Sequence, residues 1–164
     1  MTDTPAELAR DAEASADWAR QYEDAYPRVF RALRGMGATT PEAEDAVQDA
    51  IETALRQKTS IQKLDGWLFV AASRRWWRMR WRQRLFRSLR GMVAFQATAG
   101  DQDLRLAVFD ELRRLPRIQQ EVVVARYIVG LSQEETARAL GIPRGTVGAY
   151  VTKASRTIRA RLKE

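Results

Sequence analysis

The 164-residue sequence contains neither cysteine nor histidine. Those two absences remove disulfides, thiolate chemistry, imidazole catalysis and the usual zinc ligands together, and they are compatible with a reducing compartment. The densest cluster of acids, on one predicted helix, lies beside no evident phosphate site. The convergent constellation of a nucleic-acid-processing enzyme is missing, and no catalytic residue, metal ligand or cofactor is assigned. Long apolar runs are lacking too: none approaches the roughly 20 residues of a membrane span. The N-terminus carries acids where a secretory signal carries basic residues, so the expectation is a cytoplasmic chain without membrane insertion. Finally, charge of one sign is absent from two stretches. Residues 42–55 hold no Lys or Arg, and nothing between Gly66 and Gly100 is acidic.

What is present follows from that segregation. Lys and Arg outnumber Asp and Glu by 28 to 21, a net charge of +7, which points to a polyanionic partner, nucleic acid or an acidic membrane surface. Because the acids and bases are separated, one polypeptide presents two electrostatically opposite surfaces and two partners are expected.

The periodicity is helical throughout. Residues 1–17 are acidic and alanine-rich, with too few large apolar groups for a core, and predict a frayed helix or a loose extension. Trp18, Tyr22, Tyr26, Phe30 and Leu33 then form an aromatic stripe, read as core, until Gly35 and Gly37 end the pattern. Thr40 is the candidate N-cap of the next helix, with Pro41 in its first turn. Val47, Ile51 and Leu55 make its buried stripe. Asp45, Gln48, Asp49 and Glu52 fall on another face as an acidic ridge, which could also be no more than a solvated surface.

After a loop from Gln57 to Leu64, a helix opening at Gly66-Trp67-Leu68 turns basic. In Ser73-Arg74-Arg75-Trp76-Trp77-Arg78-Met79-Arg80-Trp81-Arg82-Gln83-Arg84 no single apolar stripe can bury every ring. A guanidinium neutralises phosphate while an indole stacks on an unpaired base, so the interleaving suits single-stranded or melting DNA. The alternative is that the indoles are core and the arginines solvated.

From Leu85 to Gln102 the pattern weakens and a linker is expected. Beyond it Leu104, Val108, Leu112 and Leu115 make an amphipathic helix that Pro116 terminates, and a second helix runs from about Gln119 to Val129, closed by Gly130. Ser132 and Glu135 then form a capping box, Ala137 is small where helices cross, Gly141 permits a left-handed turn, and Leu140, Ile142 and Val147 supply a little core. That spacing describes a helix-turn-helix, whose second helix, about Pro143 to Leu162, would present Arg144, Thr146, Ala149, Thr152, Lys153 and Arg156 to the major groove. Gly145 and Gly148 weaken it but would let its backbone approach DNA closely. The fold expected is all-α: two small helical domains, 18–84 and 103–164, joined by a flexible linker over 85–102 and preceded by the extension 1–17.

From about Tyr22 to Leu162 these residues resemble the extracytoplasmic-function (ECF) group of the sigma-70 family. Asp45-Ala46-Val47-Gln48-Asp49-Ala50 is similar to conserved region 2.2. The resemblance implies docking of Asp45, Gln48, Asp49 and Glu52 on the largest-subunit clamp of core RNA polymerase. Gly66-Trp67-Leu68-Phe69-Val70-Ala71-Ala72 and the Arg/Trp run are similar to regions 2.3 and 2.4, implying recognition and melting of the minus-ten element. Lys63, Arg74, Arg75, Trp76, Trp77, Arg78, Arg80 and Trp81 are the candidates. The loop from Gln57 to Leu64, by the same resemblance, helps form a pocket for a flipped-out base. Leu112-Arg113-Arg114-Leu115-Pro116 and the helix-turn-helix resemble regions 4.1 and 4.2, which bind the minus-thirty-five element as duplex. Here the recognition helix departs from the usual pattern, Gly148-Ala149-Tyr150-Val151-Thr152-Lys153-Ala154-Ser155 having lost several positive charges. The partners implied are core RNA polymerase, promoter DNA both duplex and melted, and an anti-sigma factor, with a monomeric free state. The competing reading is a dimeric helix-turn-helix regulator on duplex DNA with no polymerase role.

Overall fold

The computed structural model describes residues 5–57, 61–90 and 103–163, with side chains over 12–57, 61–85 and 107–163. Every regular element in them is helical. Helix α1 (Pro5–Met36) takes in most of the acidic extension, as alanine's helix propensity favours where no tertiary contact competes. Its buried face is Ala25, Val29, Ala32, Leu33 and Met36. The aromatic stripe lies at the edge of that face, half-buried, with rings stepping from Trp18 to Tyr22 at 6.3 Å, Tyr22 to Tyr26 at 5.7 Å and Tyr26 to Phe30 at 6.0 Å.

Helix α2 (Thr40–Arg56) is capped one residue earlier than expected. The Glu42 amide donates to Thr39 Oγ1 at 3.3 Å and the Thr39 amide donates to Glu42 Oε2 at 2.9 Å. With Thr40 as cap the third helical position would be Ala43, which cannot return a hydrogen bond, so the reciprocal box selects Thr39. The buried face of α2 is Ala43, Ala46, Val47, Ala50, Ile51 and Ala54, and Leu55 turns out to solvent. Small side chains let α3 (Leu64–Arg90) approach closely, and α1, α2 and α3 form the first unit. Helix α3 continues past Arg84, where the periodicity fades. Residues 91–102 of the expected linker, and 58–60 of the Gln57–Leu64 loop, lie outside the described residues.

The second unit begins with α4 (Asp103–Arg113) and α5 (Arg117–Val124). Leu112 and Leu115 are buried, whereas Val108, expected on the same face, is exposed. The helix expected over Gln119–Val129 is α5 followed by a π-helical turn, Ala125–Val129, which Gly130 closes at φ +86°. Helices α6 (Gln133–Leu140) and α7 (Arg144–Arg161) complete the unit.

The two units are in contact. Leu112, Leu115, Val124, Ala125, Val129 and Leu131 of the second belong to the same core cluster as Val29, Leu33, Val47, Leu68 and Trp76 of the first. The π turn packs on α1 and α3, α4 on α1, and α6 on α3.

Candidate nucleic-acid interface

The helix-turn-helix is built by local chemistry. The Glu135 amide donates to Ser132 Oγ at 3.1 Å and the Ser132 amide donates to Glu135 Oε2 at 2.8 Å, the expected capping box. Gly141 then takes φ +66°, a left-handed conformation an L side chain rarely adopts, and turns the chain into α7. Val122, Ala137 and Val147 are the buried centre, with Leu140, Ile142, Tyr150 and Val151 packed around it.

On α7, Arg144, Ala149, Thr152, Lys153 and Arg156 are exposed and Thr146 is half-buried; of this set Thr152 and Arg156 line one surface depression. Arg159, three residues beyond Arg156, lines the same surface depression as Thr152 and Arg156. The spacing alone could have found it. Gly148 has a structural role that sequence reasoning missed. A Cβ there would lie 3.0 Å from Gln133 Nε2, which donates to the Arg144 carbonyl at 2.9 Å and braces α6 against the start of α7. Around Gly145 there is only open space.

The first unit carries two charged faces. On α2, Asp45, Gln48 and Glu52 are exposed. Asp49 is half-buried and ion-paired with Arg75 of α3, so this pair joins the acidic ridge to the basic helix. On α3, Arg74, Arg78 and Trp81 face solvent; Trp81 is 66% exposed.

The indoles diverge sharply. Trp76 is 0% exposed and its Nε1 donates to Glu42 Oε2 at 3.3 Å. It is a core residue, which corrects its assignment as a DNA-melting side chain: no base can reach its ring. The reason is register, since Trp76 falls four residues after Ala72 and eight after Leu68, on the buried stripe. Trp77 is half-buried against it, ring centroids 4.6 Å apart. Arg80 spans both rings, 5.2 Å from the Trp76 centroid and 5.8 Å from that of Trp77, within cation–π range.

A groove of about 500 Å³ runs beside these rings, lined by Trp77, Arg78, Arg80, Trp81, Arg82, Arg84 and, from the second unit, Arg117. Arg117 sits 5.1 Å from the Trp77 centroid. No local pattern links residues 77 and 117, so the sequence could not have shown this contribution. Lys63 lines a depression of about 400 Å³ with Ile61, Gln62, Trp67 and Arg74, and is ion-paired there with Glu135 across the two units. That ammonium and the Ser132 amide hold the Glu135 carboxyl at about 2, well below its usual 4.5, and the same partner raises Lys63 above its ordinary value.

Among the described residues no helix is long and apolar enough to cross a membrane. The described residues thus form a helical protein with a basic groove bearing an exposed indole, an exposed acidic ridge and a helix-turn-helix whose second helix has an open face. More particularly, residues 105–158 match the family described as sigma-70, region 4, so the second unit is a sigma-70 region 4 domain.

The fold as a whole is that of known sigma factors. It is similar to the sigma factor RpoE in complex with the anti-sigma factor NepR from Bartonella quintana, with 24% identity and a TM-score of 0.72 over 90% of this chain and 97% of that one. It is also similar to CnrH in complex with the cytosolic domain of CnrY, with 22% identity and a TM-score of 0.69 over 93% and 94%. No curated protein matches the sequence.

Proposed function

We propose that this chain is an ECF-type sigma factor, which binds core RNA polymerase through Asp45, Gln48, Asp49 and Glu52 and confers promoter recognition on it. Region 2 corresponds to 18–84, the linker to 85–102 and region 4 to 103–164. The observation that carries the reading is the separation of surfaces on one sigma fold. An acidic ridge on α2, a basic indole-bearing groove on α3 and the open face of α7 are each accessible to a different partner. Arg74, Arg78 and Trp81, with Trp77 and Arg80 behind them, engage the melting minus-ten element; α7 reads the minus-thirty-five duplex. Arg75 holds Asp49 in position, and catalysis belongs to the polymerase. An anti-sigma factor is a further proposed partner, in keeping with the RpoE complex.

The test is run-off transcription with purified core enzyme and this chain on a genomic promoter library. Specific start sites are expected with the native chain and none with Asp45→Arg, which reverses an exposed charge outside the core. Start sites that persist at full yield in that variant remove the docking assignment. Failure of the native chain to program any start site removes the function.

A further inference from the structure

No side-chain hydrogen bond caps the start of α7, where Pro143 occupies the N-cap position. Arg144, the first residue of the helix, is exposed at that end, the end at which a recognition helix meets base edges. What holds it comes from the preceding helix. The reciprocal Ser132–Glu135 box fixes the backbone at the start of α6. Gln133, the first residue inside that box, donates from Nε2 to the Arg144 carbonyl at 2.9 Å. A carbonyl has two lone pairs, so it accepts this donor beside a helical bond.

Gly148 is the other half of the brace. Its φ is not positive, and inside a helix glycine is weaker than alanine, so the backbone supplies no reason for it. A Cβ there would stand 3.0 Å from Gln133 Nε2 and 3.9 Å from Gln133 Cδ, the first of these tighter than ordinary van der Waals contact. Gly145, a turn earlier, has nothing within 4 Å of the same construction. The crowding is particular to the glycine that faces Gln133.

An arginine that reads guanine makes two parallel hydrogen bonds to O6 and N7, and such a fork tolerates only about 0.5 Å of misplacement. Resting on the function proposed above, we infer that Gln133 and Gly148 are specificity-determining positioning residues. The Gln133 amide, admitted by the missing side chain of Gly148, holds the first turn of α7 so that Arg144 reads a guanine edge in the upstream duplex. Gln133 acts through Arg144 and touches no base. The helix exchanges some of its own stability for that recognition.

The probe is a duplex library randomised over the upstream element and selected by the full-length chain bound to core enzyme. Competition between duplexes that differ at one base pair follows. Arg144→Ala marks the pair that this residue reads, where discrimination should fall about tenfold. Gln133→Ala should lower discrimination at that same pair about three- to tenfold. The other positions and the salt dependence should stay as they were, because no phosphate contact is removed. Gly148→Ala should bring a smaller loss at the same pair in the native background and none in the Gln133→Ala background, where no amide is left to displace. Melting separates this from a fold defect: in the Gln133→Ala background Gly148→Ala should raise the midpoint by about 2–4 °C, since only helix propensity changes there.

Discrimination that survives in Gln133→Ala overturns the inference. A loss spread evenly over every base pair, or accompanied by a shallower salt dependence, also overturns it and makes Gln133 a phosphate contact. A Gly148→Ala defect of equal size in both backgrounds does so too, by putting that Cβ against the DNA itself. A native chain that selects no upstream sequence with core enzyme removes the sigma function, and the role of Gln133 falls with it. One that selects a palindromic duplex without core enzyme removes the sigma function alone, and the same variants decide the brace on that duplex.

Discussion

Trp76 and Trp81 lie five residues apart in one helix and are expected to respond oppositely to the same truncation. Trp76→Ala empties a fully enclosed indole site and leaves Glu42 without its buried donor, a loss of about 3–5 kcal/mol by comparison with other large-to-small core changes. Chemical denaturation of the full chain is the measurement, with a fall in the transition midpoint expected. Trp81→Ala removes a ring that is two-thirds exposed, so the midpoint should scarcely move. Its effect should appear in strand binding, where a lost stacking platform weakens capture about tenfold, within the range for one base on one aromatic ring. Equal loss of stability in the two variants would place Trp81 in the core as well. In the sequence the rings of the Arg/Trp run look alike, because arginine on both sides of each indole hides which ring continues the Leu68–Ala72 stripe. Burial was legible only once α3 had a fixed rotation against α1 and α2.

Helix ends were the most legible features, and one of them carries more than a cap. The Ser132–Glu135 box, the left-handed Gly141 and the start of α7 follow from side chains within a few residues of each other, and all stand as the spacing implies. The cap of α2 was misread by one position because Thr39 and Thr40 are adjacent and only the partner at the third helical position separates them. Glu42 is that partner, and it also receives Trp76 Nε1. Thr39→Ala should therefore cost about 1 kcal/mol, the usual value of a lost N-cap. Glu42→Ala should cost more, since it also strands a buried donor, itself about 1–3 kcal/mol. Paired thermal melts decide the order; a Glu42 variant no worse than the Thr39 variant would mean the indole bond contributes nothing. What the sequence could not reveal is the packing of the two units on one another. Lys63 with Glu135, and Trp77 with Arg117, are separated by a stretch with no periodic signal, and contact at such distance is a property of the assembled fold.

The packing of the two units on one another should depend on pH through the Lys63–Glu135 pair that crosses between them. The Glu135 carboxyl sits at about 2 against an ordinary 4.5, chiefly because Lys63 donates to it and then because the Ser132 amide does. A carboxyl depressed in the packed form contributes fully above its ordinary value. Only the Lys63 share of that depression belongs to the seam, since the Ser132 bond is the cap of α6 itself, so the contribution shrinks as acid competes for the carboxylate below 4.5 and is exhausted once the pH passes through about 2. Lys63 is raised above 10.5 by the same carboxylate, so its share is complete below 10.5 and fades as the pH climbs through the raised value. The pair therefore favours that packing most between those limits and loosens at both. Since Lys63 lies at the surface, salt should narrow the effect. The separation of fluorophores on Glu23→Cys and Ala160→Cys, followed from pH 6 downward, should begin to lengthen below about 4.5 in the native background. Glu135→Gln should already be longer at pH 6 and show a smaller acid response, because the group that titrates is gone while other carboxyls still protonate. Identical acid limbs in the two chains would assign the response to those other carboxyls and release Glu135 from the seam. A difference confined to the interval between 2 and 4.5 ties the packing of the two units to this one ion pair.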